Sequence, residues 1–270
     1  MTTFAIQNQT RVQLSQGDWL DRCAALAARS VDMLYVDPPF NTGSAKRSGE
    51  HAFEDSWPDT QSYIRWLGQR LEATLPALKS SANLLIHVDW RTSHRVRVLL
   101  DELLGEDRFV NQLVWSYGLG GSSPRRFARK HDDILYYCID PNAYWFDPPL
   151  VPATSRKMSG QHKKSTDVLS IPSINNMAHE RVGWPTQKPL ALLELLIGAC
   201  CPPGGTVLDP CCGSGTTLLA AARLQRSAIG FDRSSEAIAL TQRRLAEFRA
   251  CSSSDDLEQS DTTNEPTPDS

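Results

Sequence analysis

The sequence of 270 residues predicts an α/β fold, in which helices cover both faces of a doubly wound, mainly parallel sheet. Short runs of β-branched and aromatic residues alternate along the chain with segments whose apolar residues recur at helical spacing. Three of the strand-like runs end in an aspartate, at Asp37, Asp209 and Asp232. Because ligands bind beyond the carboxyl ends of parallel strands, we expect these three carboxylates to lie at one site.

The predicted elements follow one another in the order that such a sheet needs. Strands are predicted at 31–36, 83–88, 133–139, 206–209 and 227–232, and helices at 62–79, 92–104, 189–199, 218–222 and 234–248. A chain of this length can bury one sizeable core. We therefore expect one domain over residues 1–250, which includes a loop-rich insertion at 116–183, and a separate tail at 251–270.

A strand-end tetrapeptide, Asp37, Pro38, Pro39 and Phe40, is the most informative feature of the chain. The two prolines end the strand 31–36, because they cannot donate to its hydrogen-bond ladder. The residue before a proline is extended, so the Asp37 carboxylate and the Pro38 carbonyl should face a common point, with Phe40 available to stack on a flat ligand. Such a site can hold an amino group attached to an aromatic ring. A plain proline turn after a strand explains these four residues, taken alone, equally well.

A glycine-rich turn lies between the predicted strand 206–209 and the helix that follows. Gly213 and Gly215 would let a ligand approach the backbone, and the helix N-terminus favours polar or anionic groups. The turn lacks the third glycine of the dinucleotide fingerprint and the lysine of a P-loop, so NAD and ATP are disfavoured. At the end of the next strand, Asp232 is placed to accept hydrogen bonds from ribose hydroxyls. The alternative is that Asp232 caps the helix that begins near Ser234.

Four segments together resemble the amino-group DNA methyltransferases that use S-adenosylmethionine. That family has a catalytic motif of Asp, Asn or Ser followed by two prolines and an aromatic residue, a glycine-rich cofactor loop, a Thr-Gln-Lys-Pro element and an upstream Gly-Asp pair. In this chain they are matched by 37–40 with the extension 41–43, by 209–217, by 186–189 and by 17–18. The catalytic motif precedes the cofactor loop, which is the permuted order of the group labelled beta. The resemblance covers most of residues 10–250.

The resemblance implies a Rossmann-like methyltransferase fold with permuted motif order, and S-adenosylmethionine as the cofactor. It assigns catalysis to Asp37, Pro38, Pro39 and Phe40. For cofactor binding it implies Asp18, Thr186, Lys188, Asp209, Cys211, Gly213, Ser214, Gly215, Thr216 and Asp232. The chain departs from the family at Cys211, where a large apolar residue is usual, and at Trp184, where His or another polar residue is more common. We expect these departures to alter cofactor affinity more than activity.

The insertion 116–183 is rich in basic residues and is the best candidate for DNA contact. Its lysines and arginines would bind phosphates in a salt-sensitive way, and the resembling family has its target-recognition region at this place. The residues assigned to DNA binding are Arg125, Arg126, Arg129, Lys130, Arg156, Lys157, Lys163 and Lys164. The alternative is a solvated basic face of a loop-rich insertion. His87 and His131 are interpreted as structural residues and not as general bases.

The formal net charge of −3 is unevenly placed along the chain. The tail after Ala250 contains six acidic residues and no Lys or Arg, so residues 1–250 carry a formal charge of +3. Low apolar content and many Ser, Thr and Pro residues predict that the tail 251–270 is disordered. It would act as a solubility tail or compete with DNA for the basic face.

The seven cysteines include no Cys-x-x-Cys pair, so a zinc site is not expected and no metal is assigned. Their odd number fits a reducing compartment, and the chain shows neither a signal peptide nor an apolar run of membrane-spanning length. A soluble, cytoplasmic protein with no membrane partner is therefore predicted. The resemblance adds double-stranded DNA as the substrate, a possible homodimer and a possible cognate restriction endonuclease.

The chemistry of an exocyclic amine suggests the mechanism, because its lone pair is delocalised into the ring. The Asp37 carboxylate and the Pro38 carbonyl would accept its two hydrogens and aim the lone pair at the methyl donor. The base must leave the duplex to be reached, and Phe40 would stack on it. In the resembling family an Asp at the first position is more common for adenine N6 than for cytosine N4, so adenine is favoured over cytosine. Methylation of protein or RNA amines is less favoured, as is a DNA-binding relative that has lost its activity.

Overall fold

A computed structural model of the chain describes residues 2–6, 10–43, 46–48, 51–53, 55–118, 122–153, 157, 159–175 and 177–261. Its strands are β1 (Thr2–Ala5), β2 (Arg11–Gln16), β3 (Val31–Val36), β4 (Lys46–Ser48), β5 (His51–Phe53), β6 (Leu78–Val88), β7 (Phe109–Ser116), β8 (His131–Cys138), β9 (Leu150–Pro152), β10 (His162–Lys164), β11 (Val168–Ser170), β12 (Thr206–Asp209) and β13 (Ser227–Asp232). Its helices are α1 (Trp19–Ala24), α2 (Thr60–Thr74), α3 (Ser93–Leu104), α4 (Leu190–Cys200), α5 (Thr216–Arg223) and α6 (Ser235–Asp261).

Nine strands form the central sheet in the order β1-β2-β13-β12-β3-β6-β8-β7-β11. From β2 to β6 every neighbouring pair is parallel, and β11 is also parallel to β7. Of the strands that the structure describes in this sheet, two run in the opposite direction, β1 at one edge and β8 between β6 and β7. The prediction of a mainly parallel sheet is confirmed. The pairs β4–β5 and β9–β10 form separate two-stranded hairpins.

Helices pack on both faces of the sheet, and the side chains of β3 alternate between them. Met33 and Tyr35 belong to the core cluster that contains the apolar residues of α4 and α5. Leu34 and Val36 belong to the opposite cluster, which contains those of α1, α2 and α3. Every residue of β3 is buried, so this strand has no face left for solvent. A strand buried on both faces reads as a continuous apolar run, and this explains why the sequence predicted β3 correctly.

Several element boundaries differ from the predictions made from the sequence, and among the helices the ends of α2 and α6 differ most. The helix predicted at 62–79 ends at Thr74, because a short 3-10 turn that contains Pro76 follows it and leads directly into β6. At the other end of the chain, α6 continues to Asp261, so residues 251–261 are helical where we predicted disorder. Residues 262–270 lie outside the described part. Among the described residues, no helix combines the length and apolarity that a membrane span requires.

Candidate active site

A cavity of about 790 Å³ opens at the edge of the sheet where β2, β3, β12 and β13 end. All four residues of the predicted catalytic motif line it. The predicted cofactor residues that line it are Asp18, Thr186, Lys188, Asp209, Cys211, Gly213, Ser214, Thr216 and Asp232. Gly215 is the one member of the predicted set that is not among the lining residues. The fold therefore brings together segments that are up to about 200 residues apart in the sequence.

Asp37, the first residue after β3, forms an ion pair inside this cavity. The Nζ atom of Lys188 donates a hydrogen bond to Asp37 Oδ2 at 2.5 Å, and the Lys188 side chain is only 9% exposed. The same Nζ atom lies 5.1 Å from the centre of the Phe40 ring. Lys188, which the resemblance assigned to the cofactor, thus contacts both ends of the catalytic motif. A buried ion pair of this kind fixes the direction of the carboxylate as well as its charge.

The predicted catalytic motif and the two residues after it, 37–42, form the segment that we call the catalytic loop. Asp55, a residue that we did not predict, holds the end of this loop. Its carboxylate accepts hydrogen bonds from the backbone N–H groups of Asn41 and Thr42, at 2.6 and 3.3 Å, and from the Thr42 hydroxyl at 2.6 Å. Asn41 has a φ of +55°, a left-handed conformation that costs free energy unless its surroundings hold it. Asp55 is almost completely buried, so it supplies that restraint from below the catalytic loop.

Phe40 rests on a buried hydrogen-bonded network. Its ring stacks on His87 with the ring centres 5.8 Å apart. The two nitrogens of His87 contact the Tyr35 hydroxyl at 3.0 Å and an Asp132 carboxylate oxygen at 3.2 Å. Burial opposes ionisation of Asp132, but hydrogen bonds and charge interactions with His87, the Lys188 charge and a hydrogen bond from Tyr117 lower its pKa overall. The network therefore keeps a negative charge beneath the catalytic loop, and it orients the imidazole on which Phe40 lies.

The glycine loop between β12 and α5 is closely packed against the rest of the protein. Gly213 and Gly215 have φ values of +49° and +75°. A Cβ atom at Gly213 would lie 2.9 Å from Trp184 Nε1, and one at Gly215 would lie 2.4 Å from Thr241. From the sequence we expected these glycines to let a ligand approach, but their positive φ and close packing already require them. The packing also explains why Gly215 lies behind the cavity wall.

Two residues of α6 support this loop from behind, and no pattern in the sequence marks them. The Thr241 hydroxyl donates to the Gly213 carbonyl at 3.0 Å. Arg244 donates to the Ser214 carbonyl at 2.5 Å and to the Thr216 hydroxyl at 3.1 Å. Burial lowers the pKa of Arg244. The Gly213 and Ser214 carbonyls are thus satisfied from the side of α6, and the remaining surface of the loop faces the cavity.

Asp232 combines the two roles that the sequence left open. One oxygen accepts from the Ser234 N–H at 2.8 Å, at the start of α6, and the other accepts from the Gly213 N–H at 2.9 Å. Burial raises the pKa of Asp232, against these backbone hydrogen bonds. A carboxylate offers about four acceptor positions, so two remain for a ligand in the cavity. Its helix-start contact therefore does not exclude a hydroxyl ligand.

Asp209 is a fully buried carboxyl group in the wall of the cavity. Burial raises its pKa to about 7, and the neighbouring Asp37 and Asp232 charges act in the same direction. Hydrogen bonds from the Thr217 side chain and the Cys211 N–H act in the opposite direction but do not compensate. Burial likewise raises the pKa of the Cys211 thiol far above its ordinary value. Asp209 is therefore poised to change charge near neutral pH, and a cation bound nearby would favour its ionised form.

Asp18 also lines the cavity, and it is paired with a residue that we did not predict. It caps α1 through a hydrogen bond from the Leu20 N–H at 2.9 Å. Arg70 of α2 donates to both of its carboxylate oxygens, at 2.9 and 3.0 Å. The Arg70 guanidinium also stacks on the ring of Trp66, 4.5 Å from its centre. Trp57, Trp66 and Arg70 all line the cavity, so its lining is aromatic and positively charged as well as acidic.

The residues of the Thr-Gln-Lys-Pro element have different contacts. Thr186 adopts a left-handed φ of +62°. The Gln187 side chain accepts from the Val182 N–H at 2.9 Å and donates to the Glu180 carbonyl at 2.6 Å, so it fixes the turn itself. The next residue, Lys188, can then reach Asp37. The element therefore joins the glycine-loop side of the cavity to the catalytic motif.

Seven of the eight residues assigned to DNA binding are described by the structure, and these lie outside the cavity, in two separate segments. Arg125, Arg126, Arg129 and Lys130 lie in the loop between β7 and β8, where the guanidinium of Arg129 stacks 3.2 Å from the centre of the Trp90 ring. Lys163 and Lys164 are in β10, and Lys157 is exposed on the connection from β9. Arg156 lies outside the described residues. Their role in binding DNA stays a prediction.

The chain belongs to the family of DNA methylases described as N6_N4_Mtase, whose model matches residues 31–243. It is 28% identical over 241 residues to the Type II methyltransferase M.ScaI of Streptomyces caespitosus, a match that covers 82% of this chain and 77% of that protein. It is 29% identical over 245 residues to the DNA adenine methyltransferase YhdJ of Escherichia coli K12, a match that covers 85% of this chain and 81% of that protein. The predicted family is confirmed.

Solved structures agree with the fold. A complex of M1.HpyAVI with S-adenosylmethionine matches with a TM-score of 0.60 at 23% identity, over 86% of this chain and 99% of the other. The cytosine-N4-specific PvuII DNA methyltransferase matches with a TM-score of 0.66 at 17% identity, over 86% and 85%. These proteins share the Rossmann-like sheet, and the predicted fold class is confirmed.

S-adenosylmethionine, the methyl donor of this family, is confirmed as the cofactor at the level of the family. The cavity fits such a molecule, because its volume lies in the range of about 300–1,000 Å³ that is typical of small-molecule sites. Its lining offers carboxylates at Asp18, Asp209 and Asp232 for hydroxyl and cationic groups. The aromatic rings of Trp57 and Trp66 offer a surface for a flat base.

Proposed function

We propose that this protein transfers a methyl group from S-adenosylmethionine to the exocyclic N6 amino group of an adenine extruded from double-stranded DNA. The observation that carries the proposal is the position of Asp37. Its carboxylate is held by Lys188 in the same cavity as the glycine loop and beside the ring of Phe40. Family membership supplies the reaction class, and the catalytic motif supplies the preference for adenine.

The role of Asp37 follows from the charge that the reaction develops. As the amino nitrogen forms its new bond, it becomes positive and its hydrogens become acidic, so a fixed carboxylate beside them stabilises the transition state more than the ground state. Lys188 occupies Oδ2, and no hydrogen bond to Oδ1 is found among the described residues. We assign Oδ1 and the Pro38 carbonyl as the two acceptors for the amino hydrogens.

The remaining residues position the reactants. When bound, S-adenosylmethionine supplies an electrophilic methyl group on a sulfonium centre. Asp232, Asp209 and the glycine loop are assigned to holding it, and Asp18 together with Arg70 to the lining of its site. Phe40, supported by His87, stacks on the extruded base and limits its rotation, and stacking on an aromatic side chain contributes about 1–3 kcal/mol per base. Alignment of the two reactants then lowers the barrier without a general base before attack. The sulfur leaves as a neutral thioether, and the proton that the methylated nitrogen must lose passes afterwards to the Asp37 carboxylate or to water.

The proposal is tested by identifying the product. Purified protein is incubated with S-adenosylmethionine labelled in its methyl group and with unmethylated duplex DNA, and the DNA is digested to nucleosides for mass spectrometry. Labelled N6-methyladenine is expected. Labelled N4-methylcytosine would keep the mechanism and correct the base, and this second candidate is retained because adenine-specific and cytosine-N4-specific proteins both resemble the chain. Label in protein or RNA, but not in DNA, would overturn the proposal.

A further inference from the structure

The described part of the loop between β7 and β8, residues 122–130, carries an aromatic side chain that folding does not explain. Phe127 is 98% exposed, and it is the most exposed of the large apolar residues in the described part of the chain. Around it stand Arg125, Arg126, Arg129 and Lys130. We call residues 122–130 the basic loop. A single exposed apolar residue is common on its own, so the surroundings of Phe127 decide whether it has a function.

The basic loop is fixed at its root to the candidate active site. The carbonyl of Lys130 accepts from the Tyr117 N–H at 2.8 Å, and its Nζ atom donates to the Gly118 carbonyl at 3.0 Å. Two residues later, Asp132 contacts the imidazole of His87 on which Phe40 lies. Three residues of extended chain span at most about 10 Å, so Phe127 stays within about that distance of this root.

A second anchor lies at the end of β6, the strand next to β3. Arg129 stacks on the ring of Trp90, which is itself 42% exposed, and the Arg91 guanidinium lies 4.8 Å from the centre of the same ring. Desolvation, followed by the nearby Arg126 and Arg91 charges, lowers the pKa of Arg129, although the Asp89 charge acts in the opposite direction. The basic loop itself contains no acidic residue. Such a surface favours binding of a polyanion, because its phosphates can lie between the positive charges and neutralise them.

The proposed reaction leaves an empty space in the DNA that the Phe127 ring could fill. An extruded base leaves a gap in the duplex, and the neighbouring base pairs lose their stacking partner. Apolar side chains that enter a base step compensate for part of that loss. An exposed phenyl ring, carried between arginines that can bind the flanking phosphates, on a loop whose root is tied through Asp132 and His87 to Phe40, has the required chemistry.

Building on the proposed function, we propose that Phe127 enters the DNA at the target base pair and fills the space that the extruded base leaves. Arg125 and Arg126 hold the phosphates on either side of that step. Phe40 and Phe127 then stack on the two separated surfaces, the extruded base and the base pairs left behind. The basic loop thus contributes to base extrusion, in addition to general affinity for DNA.

The test compares two substrates that differ only in whether extrusion must be driven. One is a duplex that carries the site methylated by the wild-type protein, and the other has an abasic position opposite the target base, so that the target is already unpaired. For Phe127→Ala we expect kcat/KM on the intact duplex to fall about 10- to 100-fold, the range that one lost stacking interaction allows. On the duplex with the unpaired target we expect a loss below about threefold, because without its pairing partner the target base leaves the duplex at a much lower cost in free energy and needs less help from Phe127.

Three controls keep the result interpretable. Phe127→Trp should restore most of the activity, because a larger ring can fill the same gap. Val98→Ala removes an exposed apolar side chain from α3, away from the basic loop, and should leave both substrates unaffected. In the wild type, 2-aminopurine at the target position should become fluorescent on binding, and Phe127→Ala should reduce this change.

Equal losses on both substrates, or no loss on either, would overturn the inference. In those cases the wild-type protein would still methylate DNA, so the proposed function would stand. Absence of DNA methylation by the wild type would instead refute the proposed function.

Discussion

The catalytic loop and the basic loop leave the same edge of the sheet, but they are built in opposite ways. Residues 37–42 are held from three sides by Lys188, Asp55 and the stack on His87. The basic loop is anchored at its root and by Arg129, and its central residues 125–127 are exposed. The two loops differ in how accurately their side chains must be positioned. Chemistry on an amino group requires fixed acceptors, whereas a surface that meets DNA can adjust its side chains on contact.

Lys188 offers the sharpest way to test that the catalytic loop is held rigidly. In Lys188→Met the Asp37 carboxylate loses its ion-pair partner, and we expect the single-turnover rate to fall about 100-fold, as for other preorganised electrostatic groups. The affinity for S-adenosylmethionine, measured by calorimetry, should change far less. Lys188→Arg should recover part of the rate, since it keeps the charge with a different geometry.

A second ion pair provides the control for Lys188. Lys79 pairs with Asp32 at 2.8 Å, outside the cavity, so Lys79→Met should affect stability without affecting the rate. If Lys188→Met instead weakened cofactor binding and left the rate at saturation unchanged, Lys188 would be a cofactor residue, as the resemblance first suggested.

Asp209 should make cofactor binding depend on pH. A cationic ligand favours the ionised carboxylate, whose pKa in the free protein is raised to about 7. Affinity should therefore be constant above about pH 7 and fall, by at most about tenfold per pH unit, as the pH is lowered below it. Titration calorimetry from about pH 5.5 to about pH 8.5 measures this, with Asp209→Asn as the variant that should show no such fall. A flat profile in the wild type would show that Asp209 does not sense the ligand charge.

For the free protein, the raised pKa of Asp209 should make stability change with pH in the opposite direction: cofactor affinity rises with pH, whereas stability falls. Because the pKa of Asp209 is higher in the folded than in the unfolded chain, folding binds a proton between about pH 4 and about pH 7. Its contribution to the free energy of unfolding is present below that window and is lost as the pH rises through it. Asp209→Asn should thus raise the melting temperature of the free protein at about pH 8 while it weakens cofactor binding. A lower melting temperature would contradict the assigned pKa.

Asp55 tests whether the loop behind the motif matters for the rate. Asp55→Ala leaves the partly buried N–H groups of Asn41 and Thr42 without their acceptor, and loss of a partner typically costs about 1–3 kcal/mol for a fully buried group and less here. We expect a lower melting temperature together with a roughly tenfold slower transfer, since misplacement of positioned groups slows the reaction. The control is Asp59, an exposed residue that caps α2. Its Oδ1 atom accepts a hydrogen bond from the Ser62 N–H at 2.6 Å. Asp59→Ala should lower stability alone; equal effects of both variants on the rate would argue against a special role for Asp55.

Arg125 and Arg126 should have the smallest effect, and one that depends on salt. Each lost phosphate contact reduces the slope of log K against log salt by about 1. The double variant Arg125→Ala/Arg126→Ala should therefore bind DNA more weakly at low salt and methylate almost normally at saturating DNA. Arg95→Ala, an exposed arginine on α3, is the matched control. An unchanged slope in the double variant would show that these two residues do not contact DNA phosphates.

The sequence predicted the parts of this molecule that depend on local pattern. The doubly buried strand β3, the strands that end in Asp209 and Asp232, and the position of the tetrapeptide 37–40 at the end of β3 all carry signals within a few residues. Asp55, Arg70 and Arg244 were missed, because each acts on a segment that is distant in sequence and nothing around it marks that contact. The edge strand β11 and the extended end of α6 were missed for a different reason. Both lie in polar segments whose periodicity is weak.

The most direct test of the central claim is the single-turnover transfer of the methyl group by Asp37→Ala beside the wild type, at saturating S-adenosylmethionine. We predict that the wild type forms labelled methyl-nucleoside and that the rate of its formation is at least about 1,000-fold lower in the variant, the upper end of the effect of one preorganised group. The dissociation constant for S-adenosylmethionine should remain within about threefold, because the carboxylate is assigned to the base and not to the cofactor. Transfer at the wild-type rate by Asp37→Ala would contradict the catalytic role proposed for the Asp37 carboxylate.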